Sequence, residues 1–295
     1  MNKVILAVDD GGTSIIYRLL RGGDYAFLTE RKFYDMPSMG TKGEILNVFE
    51  NMFTDAAKQC EELGGEITRG AFSVPGPFDC AAGISRMEHK WISLKDMPLR
   101  KVFREMGILP ERTVYTFLHD VHAFLVGEKY FSHARNWGNS LGIIIGTGLG
   151  LGLWENGELQ FSESGGPFYS IFRKVYREGI LEDYVSGRGL SAIYIHNGGQ
   201  SLEAREIADK AREGDRMAQA VYQQMGTILG ENIADIVIGH KIQCIMVGGR
   251  VSLAFDLFGQ NLRDALGGYV KIYASEMLES AAMLGAAVWG GSVAS

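Results

Sequence analysis

The chain has 295 residues, of which 46% are hydrophobic and 22% charged, with a formal net charge of −6, enough to bury one large core or two smaller ones. Its 39 glycines are about twice the usual share while its six prolines are few, a combination that excludes collagen-like and disordered classes. Mild acidity argues against nucleic acid or an anionic membrane surface as the main partner.

Three scattered cysteines (Cys60, Cys80 and Cys244) have no CxxC spacing, which excludes a disulfide scaffold and a cysteine zinc cluster. The apolar runs at 4–8 and 281–289 are too short for a signal-peptide core or a membrane span. The expectation is a soluble cytoplasmic protein that binds neither nucleic acid nor membrane.

In chain order, residues 3–9 read as a strand running into Asp9-Asp10-Gly11-Gly12-Thr13. A second strand covers 15–20, Gly22-Gly23 supplies a turn, and residues 25–28 resume the sheet. Thr41-x-x-Glu44 makes a capping box for a helix with Ile45, Leu46, Phe49, Met52, Phe53, Ala56 and Cys60 at helical spacing. Gly64-Gly65 stops it. A strand near 67–74 ends in Pro75-Gly76-Pro77, followed by a helix near 98–106 and a strand near 112–118. Asp120 then opens a helix through Phe131.

Residues 140–145 repeat the opening move, feeding Gly146-Thr147-Gly148-Leu149-Gly150, a strand to Trp154 and an Asn156-Gly157 turn. A helix from Ser201 to about Gly214, a longer one over 216–238, a strand over 242–247 ending at Gly248-Gly249, and a last helix from about Glu279 complete the chain. One supersecondary unit therefore occurs twice, about 135 residues apart. Strands alternating with helices after each meander predict two α/β domains, 1–119 plus 280–295 and 120–279, with a cleft between them.

A backbone approaches a phosphate closely only where side chains are absent, and its free N–H groups then point at the anion. Asp9-x-Gly11-Gly12-Thr13 offers such a turn with a carboxylate suited to a Mg²⁺-bound water, and Gly146-Thr147-Gly148 offers a second. Either alone is an ordinary hairpin turn; their duplicated placement points to a nucleotide clamp. The chain has no GxxxxGK[ST] and no strand–helix GxGxxG, so a P-loop and a dinucleotide fold are excluded at motif level.

The ordered blocks Asp9-Asp10-Gly11-Gly12-Thr13, Val74-Pro75-Gly76-Pro77-Phe78-Asp79, His119-Asp120 with Gly127-Glu128, Gly146-Thr147-Gly148-Leu149-Gly150, Leu181-Glu182-Asp183-Tyr184-Val185-Ser186-Gly187 and Val247-Gly248-Gly249 resemble those of ROK-family sugar kinases along the full chain. The resemblance implies an actin-like (ribonuclease H-like) two-domain fold that phosphorylates a monosaccharide hydroxyl with Mg·ATP. It implies that Asp9, Gly11, Gly12 and Thr13 with Gly146, Thr147 and Gly148 hold the phosphates, with Mg²⁺ carried by ATP near Asp9. Gly248 and Gly249 lie by the adenosine, while Gly76, Pro77, His119 and Glu182 serve the sugar. Asp120 matches the catalytic base, a role that helix capping by the same carboxylate does not exclude. A homodimer is also implied.

Departures concentrate on the sugar side. His119 stands where the family has Asn, Ser14 where a lysine often follows the first loop, and residues 163–170 replace a Gly-Glu-x-Gly-His segment. The family's cysteine-rich zinc motif is missing, so no structural zinc is expected. Trp91, Phe168 and Tyr169 are candidates for stacking on a ring or for ordinary packing. A protein-only metal site at His119, Asp120 and His122 lacks a third partner block, and His89, His133, His196 and His240 have no recognisable partners in the sequence. The alternative to a kinase is a catalytically silent sugar or nucleotide sensor. A repressor of the same family would need a DNA-binding extension ahead of the first strand, which this sequence is not expected to carry.

Overall fold

The computed structural model describes residues 2–88 and 90–293; His89 lies outside the described residues. The chain forms two units. The first holds everything up to Gly127, the loop Phe161–Gly166 and the segment from Glu279 onward; the second holds Glu128–Gln160 and Pro167–Leu278.

In the first unit, β1 (Asn2–Asp10), β2 (Ser14–Arg21), β3 (Lys32–Asp35), β4 (Gly65–Val74) and β5 (Val114–His119) form one sheet in the order β3-β2-β1-β4-β5. The first three strands are an antiparallel meander, and β4 and β5 run parallel to β1. Residues 4–8 of β1 are all buried, as expected of a strand covered on both faces. Helix α1 (Lys42–Glu62) packs below one face and α8 (Glu279–Val293) across the other.

The capping box of α1 forms as read: the Glu44 N–H donates to Thr41 Oγ1 at 3.3 Å, and the Thr41 N–H to Glu44 Oε2 at 2.7 Å. The apolar stripe of α1 sinks into an aromatic cluster. Phe49 and Phe53 meet Phe72 of β4, Phe103 of α2 (Leu99–Glu105), and Tyr115 and Phe117 of β5 through a chain of ring contacts. The third strand departs from the sequence reading. Residues 25–28 form an isolated bridge, Phe27 opposite Leu20, flanked by hydrogen bonds from the Arg21 N–H to the Ala26 carbonyl and from the Leu28 N–H to the Leu19 carbonyl. Tyr25 turns at φ 60° and the Arg18 guanidinium covers the Phe27 ring at 3.6 Å.

The second unit has β6 (Ser140–Ile145), β7 (Leu149–Glu155), β8 (Glu158–Leu159), β9 (Cys244–Gly248) and β10 (Lys271–Ala274), in the order β8-β7-β6-β9-β10. Strand directions match those of the first sheet one for one. The repeated sequence unit is therefore a repeated sheet. The Asn156-Gly157 turn has both residues at positive φ, 55° and 88°, as a type I′ hairpin requires.

Helices α4 (Gly187–His196), α5 (Ala204–Arg212), α6 (Arg216–Gly239) and α7 (Phe255–Ala265) complete this unit. Strand β10, α4 and α7 escaped the sequence reading, whose strand at 242–247 is β9. Helix α5 begins at Ala204 rather than Ser201, where Glu206 accepts the Glu203 N–H at 2.8 Å.

The sequence-based domain boundary at 119/120 shifts. Helix α3 (Asp120–Phe131) starts in the first unit, held there by backbone contact with α8. A Cβ on Gly285 would fall 1.8 Å from the Ala123 carbonyl oxygen, and one on Gly127 2.0 Å from that of Ala281. Gly285→Ala should therefore cost about 3 kcal/mol, the upper range of overpacking. Gly43→Ala, where a Cβ meets nothing within 4 Å, should change stability by less than about 1 kcal/mol, in the stabilising direction. Thermal denaturation of the two variants measures both.

Candidate functional site

In the first unit the polar residues collect at the ends of β1, β4 and β5. Asp9 and Asp10 close β1, and the Gly11 N–H reaches back to the Ser14 carbonyl at 2.9 Å. Asp10 is 1% exposed, and its Oδ1 accepts the Gly12 N–H at 2.7 Å, which fixes the turn with Gly12 at φ 78°. Thr13 stands exposed at the tip. Parallel pairing sets Ser73 of β4 beside Asp9, and its hydroxyl donates to Asp9 Oδ1 at 2.8 Å. Lys90 reaches across from a distant loop; its Nζ donates to the Gly11 carbonyl at 3.3 Å.

Strand β5 delivers His119 and then Asp120. The Asp120 Oδ1 accepts the Val121 N–H at 2.7 Å, so the carboxylate does cap its own helix. His119 is 5% exposed, with Nε2 3.1 Å from the Phe78 carbonyl. That carbonyl can only accept, so Nε2 carries the proton. The ring lies against Gly76, where a Cβ would come within 2.8 Å of Cε1, and a Cβ on Gly166 would lie 3.6 Å from Nε2. Gly76, with its cis peptide to Pro77, is thus brought together with His119 and with the Gly165-Gly166 turn. His122 is fully buried, edge-on to Phe161 at 4.7 Å.

These groups share one electrostatic situation. Burial pushes the Asp9 carboxyl up to about 7; the Ser73 hydroxyl works against this, and Asp120 and Glu279 add to it. Burial likewise raises Asp10 well above the ordinary carboxylate range, opposed by the Gly12 N–H and Lys90. Asp120 is raised by burial against the pull of His119, the Val121 N–H and Lys90. Burial lowers the His119 imidazole, although Asp120 and the Phe78 carbonyl favour its charged form. Carboxylates held above their normal range beside a neutral imidazole form a site ready to take up protons or a cation.

The second unit builds a matching loop. The Gly146 N–H donates to the Gly148 carbonyl at 2.9 Å, and the Gly187 N–H at the start of α4 donates to the Gly146 carbonyl at 2.8 Å. Thr147 is again the exposed tip. Glu182 sits under this loop: its Oε2 accepts the Leu149 N–H at 2.9 Å and its Oε1 accepts from Arg188 at 2.7 Å. A Cβ on Gly148 would lie 2.7 Å from Oε2, and one on Gly249 2.4 Å from the Ile145 carbonyl oxygen. Gly146, Thr147, Gly148, Glu182 and the Gly248-Gly249 turn are therefore one local assembly. The family resemblance implies a sugar role for Glu182, both of whose oxygens are engaged by the loop and by Arg188.

The stacking candidates separate. Trp91 is 1% exposed and edge-on to Phe49 at 5.5 Å, so it is a core residue. The Tyr169 hydroxyl is tied to His240 Nε2 at 2.7 Å, with His240 Nδ1 2.9 Å from Glu155, while Phe168 is 44% exposed. His133 stacks on Tyr273 at 4.6 Å. Among the described residues no three His, Cys, Asp or Glu side chains converge as a metal site. Nor is any helix there long and apolar enough to cross a membrane. Sequence reasoning missed Asp10, Ser73 and Lys90. Register alone places Ser73; a lone lysine next to a buried tryptophan was the one clue to Lys90.

Comparison with known proteins gives these features a context. The ROK family model matches residues 5–169 and 174–291. The N-acetylmannosamine kinase of Haemophilus influenzae (strain PittGG) is 25% identical over 299 residues, covering 96% of this chain and 94% of its own. The crystal structure of a ROK family glucokinase from Streptomyces griseus in complex with glucose and AMPPNP aligns with a TM-score of 0.75 at 22% identity, over 97% of this chain and 98% of that one. A ROK family transcriptional regulator, homolog of the E. coli MLC protein, aligns at a TM-score of 0.84 and 20% identity, over 99% of this chain and 79% of that one. The actin-like α/β class expected from the sequence is borne out.

Because the folded Asp9 carboxyl binds its proton more tightly than an unfolded one, its contribution to stability is full below about pH 4. It is lost as pH rises through about 7. Without nucleotide, Asp9→Asn should flatten the fall in melting temperature between pH 5 and pH 8, gaining a few degrees at pH 8. A slope equal to wild type would refute the assignment. In the second unit, Glu182→Ala should speed hydrogen exchange at the Leu149 amide by at least about tenfold, the value of one charge-assisted bond.

Proposed function

The chain belongs to the ROK family, and from that premise we propose that it is an ATP-dependent carbohydrate kinase with Asp120 as general base. Relatives that phosphorylate sugars by name support the acceptor class, and the AMPPNP complex of one neighbour supports ATP as donor. The observation that carries the reading is the state of Asp120. Its proton affinity is raised by burial, and among the described residues no lysine or arginine lies within ion-pair distance. A carboxylate whose proton affinity is raised suits that work; one tied in a salt bridge does not.

The acceptor hydroxyl gives its proton to the free Asp120 oxygen while its own oxygen forms the bond to the γ-phosphorus. The bond from that phosphorus to the β–γ bridging oxygen breaks, and ADP leaves with the electron pair. The N–H groups of Thr13, Thr147 and Gly148, with the Thr13 and Thr147 hydroxyls, serve the phosphates, while Gly11, Gly12 and Gly146 leave the backbone free of side chains there. Gly248 and Gly249 serve the adenosine. His119, Gly76, Pro77 and Gly166 serve the sugar; neutral His119 has Nδ1 left to accept from a hydroxyl. The donor set fits Mg²⁺: Asp9, raised by burial and by Asp120 and Glu279, ionises more readily beside a cation, and Mg²⁺ favours few carboxylates plus phosphate oxygens. When bound, it neutralises phosphate charge. The same reading carries a cytoplasmic homodimer, which sedimentation registers as twice the chain mass.

A second reading, a silent sensor of the same fold, draws on the regulator among the structural neighbours. ADP release across hexoses and N-acetylhexosamines separates the two: turnover on one acceptor class supports the kinase, and nucleotide binding without turnover on any supports the sensor. In the active case, Asp120→Asn should keep its melting temperature, since the amide oxygen still accepts the Val121 N–H, yet lose at least about 10³-fold in kcat. The wild-type rate should fall on the acid side with a midpoint above the ordinary carboxylate value of about 4.

A further inference from the structure

The loop over residues 11–14 carries no cationic side chain of its own; its sequence is Gly, Gly, Thr, Ser. A cation reaches it from elsewhere. Lys90 lays its aliphatic stem over Gly12, where a Cβ would come within 2.8 Å of Cδ, and sets its ammonium 3.3 Å from the Gly11 carbonyl. A β-carbon at position 12 would crowd that path.

The arm is rooted beside a packed residue. The next residue, Trp91, is buried against Phe49 and donates its backbone N–H to the Ser38 carbonyl at 2.7 Å. The tip, by contrast, is lightly held. Among the described residues no carboxylate lies within ion-pair distance of the ammonium, and its one hydrogen bond is long for an N–H donor. Its charge is nevertheless felt at both Asp10 and Asp120. A lysine fixed at its root, loose at its tip and poised over an anion-binding turn is placed to meet an anion that arrives there.

We propose that Lys90 is a catalytic residue on the donor side, its ammonium contacting the phosphoryl group in transit when a nucleoside triphosphate occupies the 11–13 loop. The inference rests on the kinase reading and extends it to a residue outside the glycine loops. As the bond to the acceptor oxygen forms and that to the leaving ADP breaks, negative charge spreads over the phosphoryl oxygens, and a positioned cation stabilises it. Exchanging the Gly11 carbonyl for a phosphoryl oxygen costs the lysine one weak bond and gives it a charge-assisted one.

Lys90→Met and Lys90→Arg test this, using calorimetry with Mg²⁺ plus ADP or AMPPNP, and turnover on whichever sugar the wild type accepts. Lys90→Met should keep its melting temperature, bind ADP within threefold of wild type, and lose at least tenfold in AMPPNP affinity. Its kcat should fall at least 100-fold with the sugar KM within threefold, and Lys90→Arg should recover a measurable part of the loss. Lys90→Met with AMPPNP affinity and kcat both within threefold of wild type overturns the proposal while leaving the kinase reading standing. A wild type that binds neither nucleotide overturns both. In a protein that binds nucleotide without turnover, the AMPPNP arm alone decides.

Discussion

The arrangement in the first unit depends on a carboxylate taken almost wholly out of water. Asp10 closes β1 inside the protein and spends one oxygen on the Gly12 N–H. Its other oxygen is buried with no hydrogen-bond partner among the described residues. Burying such a group is costly unless it gives up its charge or meets a positive one. In return, the turn is held in one shape, with Gly12 at positive φ, Thr13 outward and the Lys90 stem able to lie across it. Loosening Asp10 would release all three together.

The second unit reaches a comparable loop by other means. There the supporting carboxylate, Glu182, comes from outside the hairpin and bonds to Leu149 just past the loop, with Arg188 on its far oxygen. The start of α4 adds the Gly187 N–H. Two sheets of one topology thus carry loops of similar composition braced differently, internally in one case and by a separate element in the other. Chain topology persists through such a duplication because strand order is set by the whole core, while a brace needs only one well-placed oxygen.

Much of this was legible in the residues. The meander of β1 and β2, the capping box of α1 and the repeat at residues 140–157 follow from local chemistry: alternation, caps and glycine turns. What escaped was settled by tertiary contact. The third strand starts at Lys32, set by its pairing with residues 14–17 of β2. Trp91 looks like a stacking surface in sequence and is core because α1 presents Phe49 to it. Asp9 and Ser73 are neighbours only through the parallel register of β1 and β4. The Gly165-Gly166 turn is likewise intelligible only in space, where Gly165 takes φ 78° and Gly166 lies beside His119.

Gly76 and His119 share a space that holds one imidazole and no additional carbon. Such a pair is epistatic: an alanine at 76 is harmful while 119 is histidine and tolerable once 119 is a smaller side chain. Drift at either position is therefore constrained by the other. The histidine can be replaced first and the glycine second, but the reverse order passes through a clash. Substitution at these two positions would therefore follow a set sequence of steps, with the glycine as the ratchet.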